Sequence, residues 1–307
     1  MRAKMLLATV VLAAASLSFA IPRVLGQAAK LDTAAIEQAT GLKGQLIADE
    51  NVFKVTKPRT DVKIQVDRWA MPPFMGLGSW AAFTPAHGGG HVMMMGDTVV
   101  FEDEVNPAMS AAFEAGLEVT ALHNHFFFDD PKVYFMHIGG TGEATKLAAG
   151  VKKVYDKIAE IRAANPAPLR AFSGNITSAS SITSAPLEAA LGVKGQANQG
   201  MFKIVIGRPA AMHGVSIGKE MGINTWAAFG GSDDAAVIDG DFAMLENELQ
   251  TVLRAMRKEG INIVAIHQHM SHEQPRYLFL HYWGKGKAAD LAQSLKRVLD
   301  AQAAVKS

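Results

Sequence analysis

The chain has 307 residues, enough for two domains that each bury a core, and 49% apolar against 19% charged residues mark it as globular rather than disordered. A formal net charge of +1, with no basic run interleaved with aromatics, argues against nucleic acid or an anionic membrane surface as a partner. There is no cysteine, so the chain has no disulfides, thiolate chemistry or lipid-bearing cysteine, and any metal must be held by nitrogen and oxygen, with methionine sulfur as an outlier.

The first stretch reads as a secretory signal. Arg2 and Lys4 precede a short apolar run, Met5 to Leu17, and Ser18-Phe19-Ala20 offers small residues for cleavage after position 20. A second small-residue site near Gln27-Ala28-Ala29 sets the latest cut. The run is shorter than the roughly 20 residues that span a bilayer. The expected product is therefore periplasmic or secreted, without a stable membrane anchor.

Two copies of one unit follow, at about 30–165 and 186–303. Between them lies a linker, 166–185, rich in proline, serine and threonine. Gly116-Leu-Glu-Val-Thr-Ala-Leu-His-Asn-His125 returns as Gly260-Ile-Asn-Ile-Val-Ala-Ile-His-Gln-His269, an offset of 144 residues (116 to 260). The same offset carries Gly96-Asp97 onto Gly240-Asp241, Pro131 onto Pro275, Phe135 onto Phe279 and His137 onto His281. With small gaps, Trp80-Ala-Ala-Phe83 matches Trp226-Ala-Ala-Phe229.

Within the first unit the pattern predicts a helix from Leu31 to Ala39, then short strands at Val52–Thr56, Val62–Val66, Ser79–Thr84 and His91–Met95. A helix from Glu104 to Ala115 stops at Gly116, and a hairpin of Glu118–Phe126 and Lys132–Ile138 follows. Last comes an amphipathic helix over Thr141–Ile158. The expected fold is α+β: two homologous repeats, each an antiparallel-rich sheet with helices on one face, packed about a pseudo-two-fold axis. Gly96-Asp97 and Gly240-Asp241 read as turns, and Trp80 and Trp226 as core anchors.

The hairpin carries the chemistry. Side chains alternate along a strand, so His123 and His125 share a face. Folding about Asp129-Asp130-Pro131 brings His137 opposite His123, or opposite His125 after a one-residue slip. Imidazoles at cross-strand spacing can converge on one ion, and His267, His269 and His281 repeat the set. A lone His-x-His is usually polar decoration, but here a third histidine sits where the hairpin needs it and the triad recurs. The content expected is a divalent transition metal: zinc, copper, nickel or iron. Glu104 and Glu248, or Glu102 and Glu246, are candidate fourth ligands or general bases, although acids at a helix start are also favoured by its dipole.

Ala121-Leu-His-Asn-His125, Pro131, Phe135-Met-His137, Glu102-Asp-Glu-Val-Asn-Pro107 and Arg59-Thr-Asp61 together resemble the LppY/LpqO family of bacterial envelope proteins. The resemblance covers both units and implies an exported, duplicated domain of unknown function. It supplies no catalytic residues, and the missing lipobox cysteine departs from the lipoproteins for which the family is named. Two functions follow from the sequence, beside a structural reading in which the histidine rows pair across the interface of a pseudo-dimer. One is a metal-binding protein, extending to a metal-dependent enzyme on a small envelope substrate. The other is a non-enzymatic binding module for a cell-wall glycan, peptide or partner protein.

Overall fold

The computed structural model describes residues 31–86 and 90–306, so the signal segment and His87 lie outside the described residues. Among the described residues each unit contributes nine strands and three α-helices. In the first unit these are α1 Thr33–Thr40, β1 Gly44–Ile47, β2 Val52–Pro58, β3 Gln65–Val66, β4 Trp69–Ala70, β5 Gly78–Pro85, β6 Val92–Phe101, α2 Glu102–Glu114, β7 Glu118–His123, β8 Asp129–Asp130, β9 Val133–Gly142 and α3 Ala144–Ala164. The second unit repeats the order as α4 Ser184–Leu191, β10 Gln196–Asn198, β11 Met201–Gly207, β12 Ala210–Met212, β13 Val215–Ile217, β14 Asn224–Gly231, β15 Ala236–Leu245, α5 Leu249–Lys258, β16 Asn262–His267, β17 Glu273–Gln274, β18 Tyr277–Gly286 and α6 Ala288–Ala303.

Twelve of the strands form one sheet in the order β1-β2-β5-β6-β9-β7-β16-β18-β15-β14-β11-β10. The order is a palindrome. It places a pseudo-two-fold axis between β7 and β16, where Leu122 pairs with Ile266 in antiparallel fashion. The same patch meets itself, as an isologous contact requires. Helix α2 reaches across the join, where Asn106 donates to the Ile263 carbonyl (3.1 Å) and accepts from its N–H (2.8 Å). Gln250 of α5 does the same to Val119, at 2.7 and 3.2 Å.

All six helices cover one face. Alternate strand residues such as Phe53, Val55, Phe83, Met94, Leu122 and Met136, with Phe202, Phe229, Ile238, Ile266 and Leu280, join helical Met109, Leu147, Val252 and Leu295 in one core spanning both units. The other face is only partly covered. Strands β3, β4 and β8 form a small sheet over it, closing Ile64 and Leu77 against Val99, Phe101, Val133 and Phe135. In the second unit β12, β13 and β17 accompany an equivalent cluster of Ala210, Ile223, Ala243, Tyr277 and Phe279. The Asp129-Asp130 segment, expected as a tight turn, is therefore a strand paired with Gln65–Val66 inside a longer connection.

Gly96 and Gly240 are not turn residues either; each lies inside a ten-residue strand. A Cβ on Gly96 would stand 2.7 Å from the Trp80 carbonyl oxygen, and one on Gly240 would overlap the Tyr282 hydroxyl and the Trp226 carbonyl. Close approach of the chains demands glycine there. The aspartate that follows each glycine points to the opposite face.

Candidate metal centre

A β-bulge decides which way the histidines face. In the β7–β9 ladder Val119 pairs with Ile138, Thr120 is skipped, and Ala121 pairs with His137. Buried Leu117 and Val119 point to the helices, so uninterrupted alternation would send His123 into the same core. The extra residue reverses the parity. Leu122 then faces the core, while Ala121 and His123 join His137 on the other face. Val264 is skipped in the same way between β16 and β18.

The register differs from the expected one. His123 pairs with Phe135 and His137 with Ala121, so His137 is diagonal to His123 rather than opposite it. The rings still meet, with centroids 5.1 Å apart for His123 and His137 and 4.7 Å for His267 and His281. His125 and His269 lie just past the strand ends, each laid flat on a phenylalanine, Phe135 at 3.3 Å and Phe279 at 3.6 Å between centroids. That stacking aims the second histidine back at the first, and the His123 and His125 Nε2 atoms are 3.1 Å apart.

The carboxylate beside the histidines is one that the sequence reading assigned to a turn. Asp97 pairs directly with His137 across β6 and β9, and Asp241 with His281 across β15 and β18. His137 Nε2 is 3.9 Å from Asp97 Oδ1. In the second unit His269 Nε2 is 2.9 Å from Asp241 Oδ2, and His267 Nε2 is 4.0 Å from Asp241 Oδ1. Ligand atoms of Asp241, His267 and His269 all lie within 4.8 Å of one another, a group that could hold a metal ion. His281 stands outside that group. Its ring stacks on His267, and its Nδ1 faces the Gly240 carbonyl at 3.2 Å.

The polar atoms of this group converge without fully satisfying one another. His269 Nδ1 lies 3.0 Å from the Gly222 carbonyl, which fixes the proton there and leaves Nε2 with its lone pair towards Asp241. A lone pair facing a carboxylate oxygen at 2.9 Å repels it unless the ring or the carboxyl carries a proton between them or a metal cation takes that place. Asp241 is only 3% exposed at its side chain. Its Oδ1 and His267 Nε2 are buried without a hydrogen-bond partner among the described residues, as is Asp97 Oδ1. Such orphans are costly unless something binds them. Burial raises the Asp241 carboxyl above its ordinary range against the pull of the three neighbouring histidines. Burial lowers His123, His125 and His267, which keeps them neutral and able to donate a lone pair.

Glu104 and Glu248, the candidate fourth ligands or general bases, are engaged in ion pairs with arginines. Glu104 is wholly buried and takes the Arg59 guanidinium with both oxygens, at 2.6 and 2.7 Å. It also accepts from the Phe101 N–H at 2.9 Å, closing the start of α2. Arg162 adds its Nε at 2.7 Å from Glu104 and pairs with Asp103. Glu248 repeats the device with Arg208, the Leu245 N–H and Gln302. Trp80 and Trp226 are likewise not core anchors. They stand half-buried beside the site, directly opposite Asp97 and Asp241 in the neighbouring strand, under the ammonium groups of Lys54 and Lys203 at 4.3 and 4.0 Å.

Fold and site together define a duplicated α+β protein with one histidine–aspartate cluster in each repeat. A profile described as Domain of Unknown Function (DUF1259) matches residues 34–157 and again 185–301, and the chain belongs to that family. No curated protein matches it. Among solved structures it is similar to a trimeric bacterial microcompartment shell protein, PduB, at 9% identity over 84% of this chain and 89% of that one, with a TM-score of 0.19. It is also similar to the double-ringed trimeric shell protein MSM0271 from the RMM microcompartment, at 11% identity over 73% and 86%, TM-score 0.17. EtuB from Clostridium kluyveri is similar at 11% identity over 86% and 90%, TM-score 0.22. Overlays this loose carry no argument about fold or function.

Proposed function

We propose that the protein is an exported, soluble component of the cell envelope whose repeats each bind one divalent transition-metal ion on the open face of the sheet. Asp241, His267 and His269 hold the ion in the second repeat; Asp97, His123 and His125 do so in the first, with His281 and His137 against them. The observation that carries this reading is the buried, unpartnered Asp241 Oδ1 and His267 Nε2, aimed into one point beside His269. Two histidines and a carboxylate are a donor set used by zinc hydrolases and non-haem iron(II) oxygenases alike. They leave coordination positions open, where a bound ion would polarise a small envelope substrate or its attacking water. Trp80 and Trp226 would form the side walls for such a substrate.

Export is supported by the charged and apolar N-terminal segment and by the resemblance to the LppY/LpqO family. No helix among the described residues is long and apolar enough to cross a membrane. The test is metal analysis of full-length protein purified from its native compartment, with N-terminal sequencing of the same material. About two ions per chain are expected, one for each cluster. Protein that arrives without metal and takes up none of zinc, copper, nickel or iron would overturn the metal reading and favour a binding module for glycan or peptide.

A further inference from the structure

The pseudo-symmetry breaks where the tether between the repeats passes α2. The chain between the repeats passes the first turn of α2 and, with Tyr134 and the β16 bulge, walls a groove of about 680 Å³ that includes Arg257. Much of the wall is apolar: Val105, Pro107, Tyr134, Leu169, Phe172 and Val264. Leu169, Phe172 and Val264 are large side chains left 52%, 47% and 39% exposed, an unusual grouping unless something covers them.

Arg257 is the polar feature without a counter-charge. Its Nε donates to Ser110 Oγ (3.2 Å), and its Nη1 donates to the Ile261 carbonyl (2.8 Å) and to Asn262 Oδ1 (3.2 Å). All three acceptors are neutral. Among the described residues no carboxylate pairs with it, and Nη2 has no partner. Burial pulls its pKa down to about 10. Of the acids that line the groove, Asp103 pairs with Arg162, whereas Glu102 has no ion pair among the described residues: the nearby Lys132 and Arg170 are taken by Asp129 and Asp130, and burial raises the Glu102 carboxyl above its ordinary range. At the symmetry-related positions Phe113 replaces Arg257 and Leu278 replaces Tyr134.

We propose that this groove binds an amphiphile with an anionic head, of which a medium-chain fatty acid is the simplest case. The carboxylate pairs with Nη2 of Arg257, and the hydrocarbon covers Leu169, Phe172 and Val264. A half-buried guanidinium left with neutral acceptors is pre-set for a charge-assisted bond, and the adjoining apolar wall gives a tail its place. The proposal does not depend on the metal clusters.

The experiment is calorimetric titration of the full-length protein with dodecanoate and, separately, with dodecanol. Saturable one-to-one binding of dodecanoate is expected, at least about tenfold tighter than dodecanol, the worth of one hydrogen bond to a charged group. Arg257→Gln should remove that preference and leave dodecanol unchanged, and Val264→Trp should abolish both. Equal affinities for the two ligands on the unaltered protein, or no saturable binding below the micelle concentration, would overturn the proposal even if Arg257→Gln did not fold.

Discussion

Leu122 and Ile266 occupy the same position in the two repeats and pair with each other, so the sheet crosses its own symmetry axis at one residue pair. Continuing that register by one residue sets Ala121 across from His267 and Ala265 across from His123. The two clusters therefore share one face. His123 and His267 lie on a diagonal whose Cα spacing is about 7–8 Å. What happens at one cluster is felt close to the other.

The donor set can be tested one oxygen at a time. Asp241→Asn keeps the shape of the side chain and removes its charge. It should weaken metal binding in the second repeat by about 10–100-fold or more, judged from what such changes around metal sites cost. Metal content should fall by about one ion per chain while the melting temperature of the metal-free protein holds or rises, because a buried charge with one oxygen unpartnered is gone. Metal analysis and thermal melting on one sample check both. Unchanged metal content would exclude Asp241 as a ligand.

Glu104→Gln should do the reverse. Arg59 and Glu104 are 6% and 0% exposed at their side chains, and breaking such a pair leaves a buried charge alone. The expected loss is about 3–5 kcal/mol in denaturant unfolding. Metal content should not change.

Gln250→Ala removes both hydrogen bonds to Val119 across the join. Buried backbone groups that lose their partners cost about 1–3 kcal/mol. Asn106→Ala should cost a similar amount through Ile263, and the two losses should add, since the residues serve separate strands. Chemical denaturation of the two single variants and the double variant measures this.

Acid should destabilise the metal-free protein. His123, His125 and His267 have folded pKa values lowered by burial, so the unfolded chain binds protons more readily. The stability they confer is complete above about pH 6.5, the ordinary histidine value. It is lost as pH falls through their lowered folded values. Asp241 acts with the opposite sign. Its raised pKa means the folded state takes up a proton first, so stability is regained at more acidic pH, above the ordinary aspartate value of 3.8. Melting temperature followed from pH 8 downward should decline below about 6.5, and His267→Gln should flatten the decline.

The repeat offset made the symmetry of the fold legible before any coordinates. Six strands of one unit have their equivalents in the palindrome and the other three in the matching small sheet, and the α+β reading with helices on one face holds. The histidines were legible as a group because parity survives any shift that moves both strands of a hairpin together. Their register was not, because a one-residue bulge at Thr120 or Val264 leaves no mark in composition. Asp97 and Asp241 were hidden by the glycine before each of them. Gly-Asp is a turn signal in isolation, and only the packing of Trp80 and Tyr282 shows that glycine is needed for closeness rather than curvature. The one available signal was the exact return of Asp97 as Asp241 at the offset that returns the histidines. The tryptophans misled for a related reason: an aromatic at a strand centre can cover either face, and here lysines hold it on the outer one.

A symmetric pair of separate subunits must accept every substitution twice, once in each partner. Joining the halves in one polypeptide lifts that constraint. The stretch that ties them together lies along one side of the axis and supplies Leu169 to Ser173 as a wall of the groove at Arg257. The tether thus gives the molecule a left and a right, and lets one half keep phenylalanine where the other has acquired a cation.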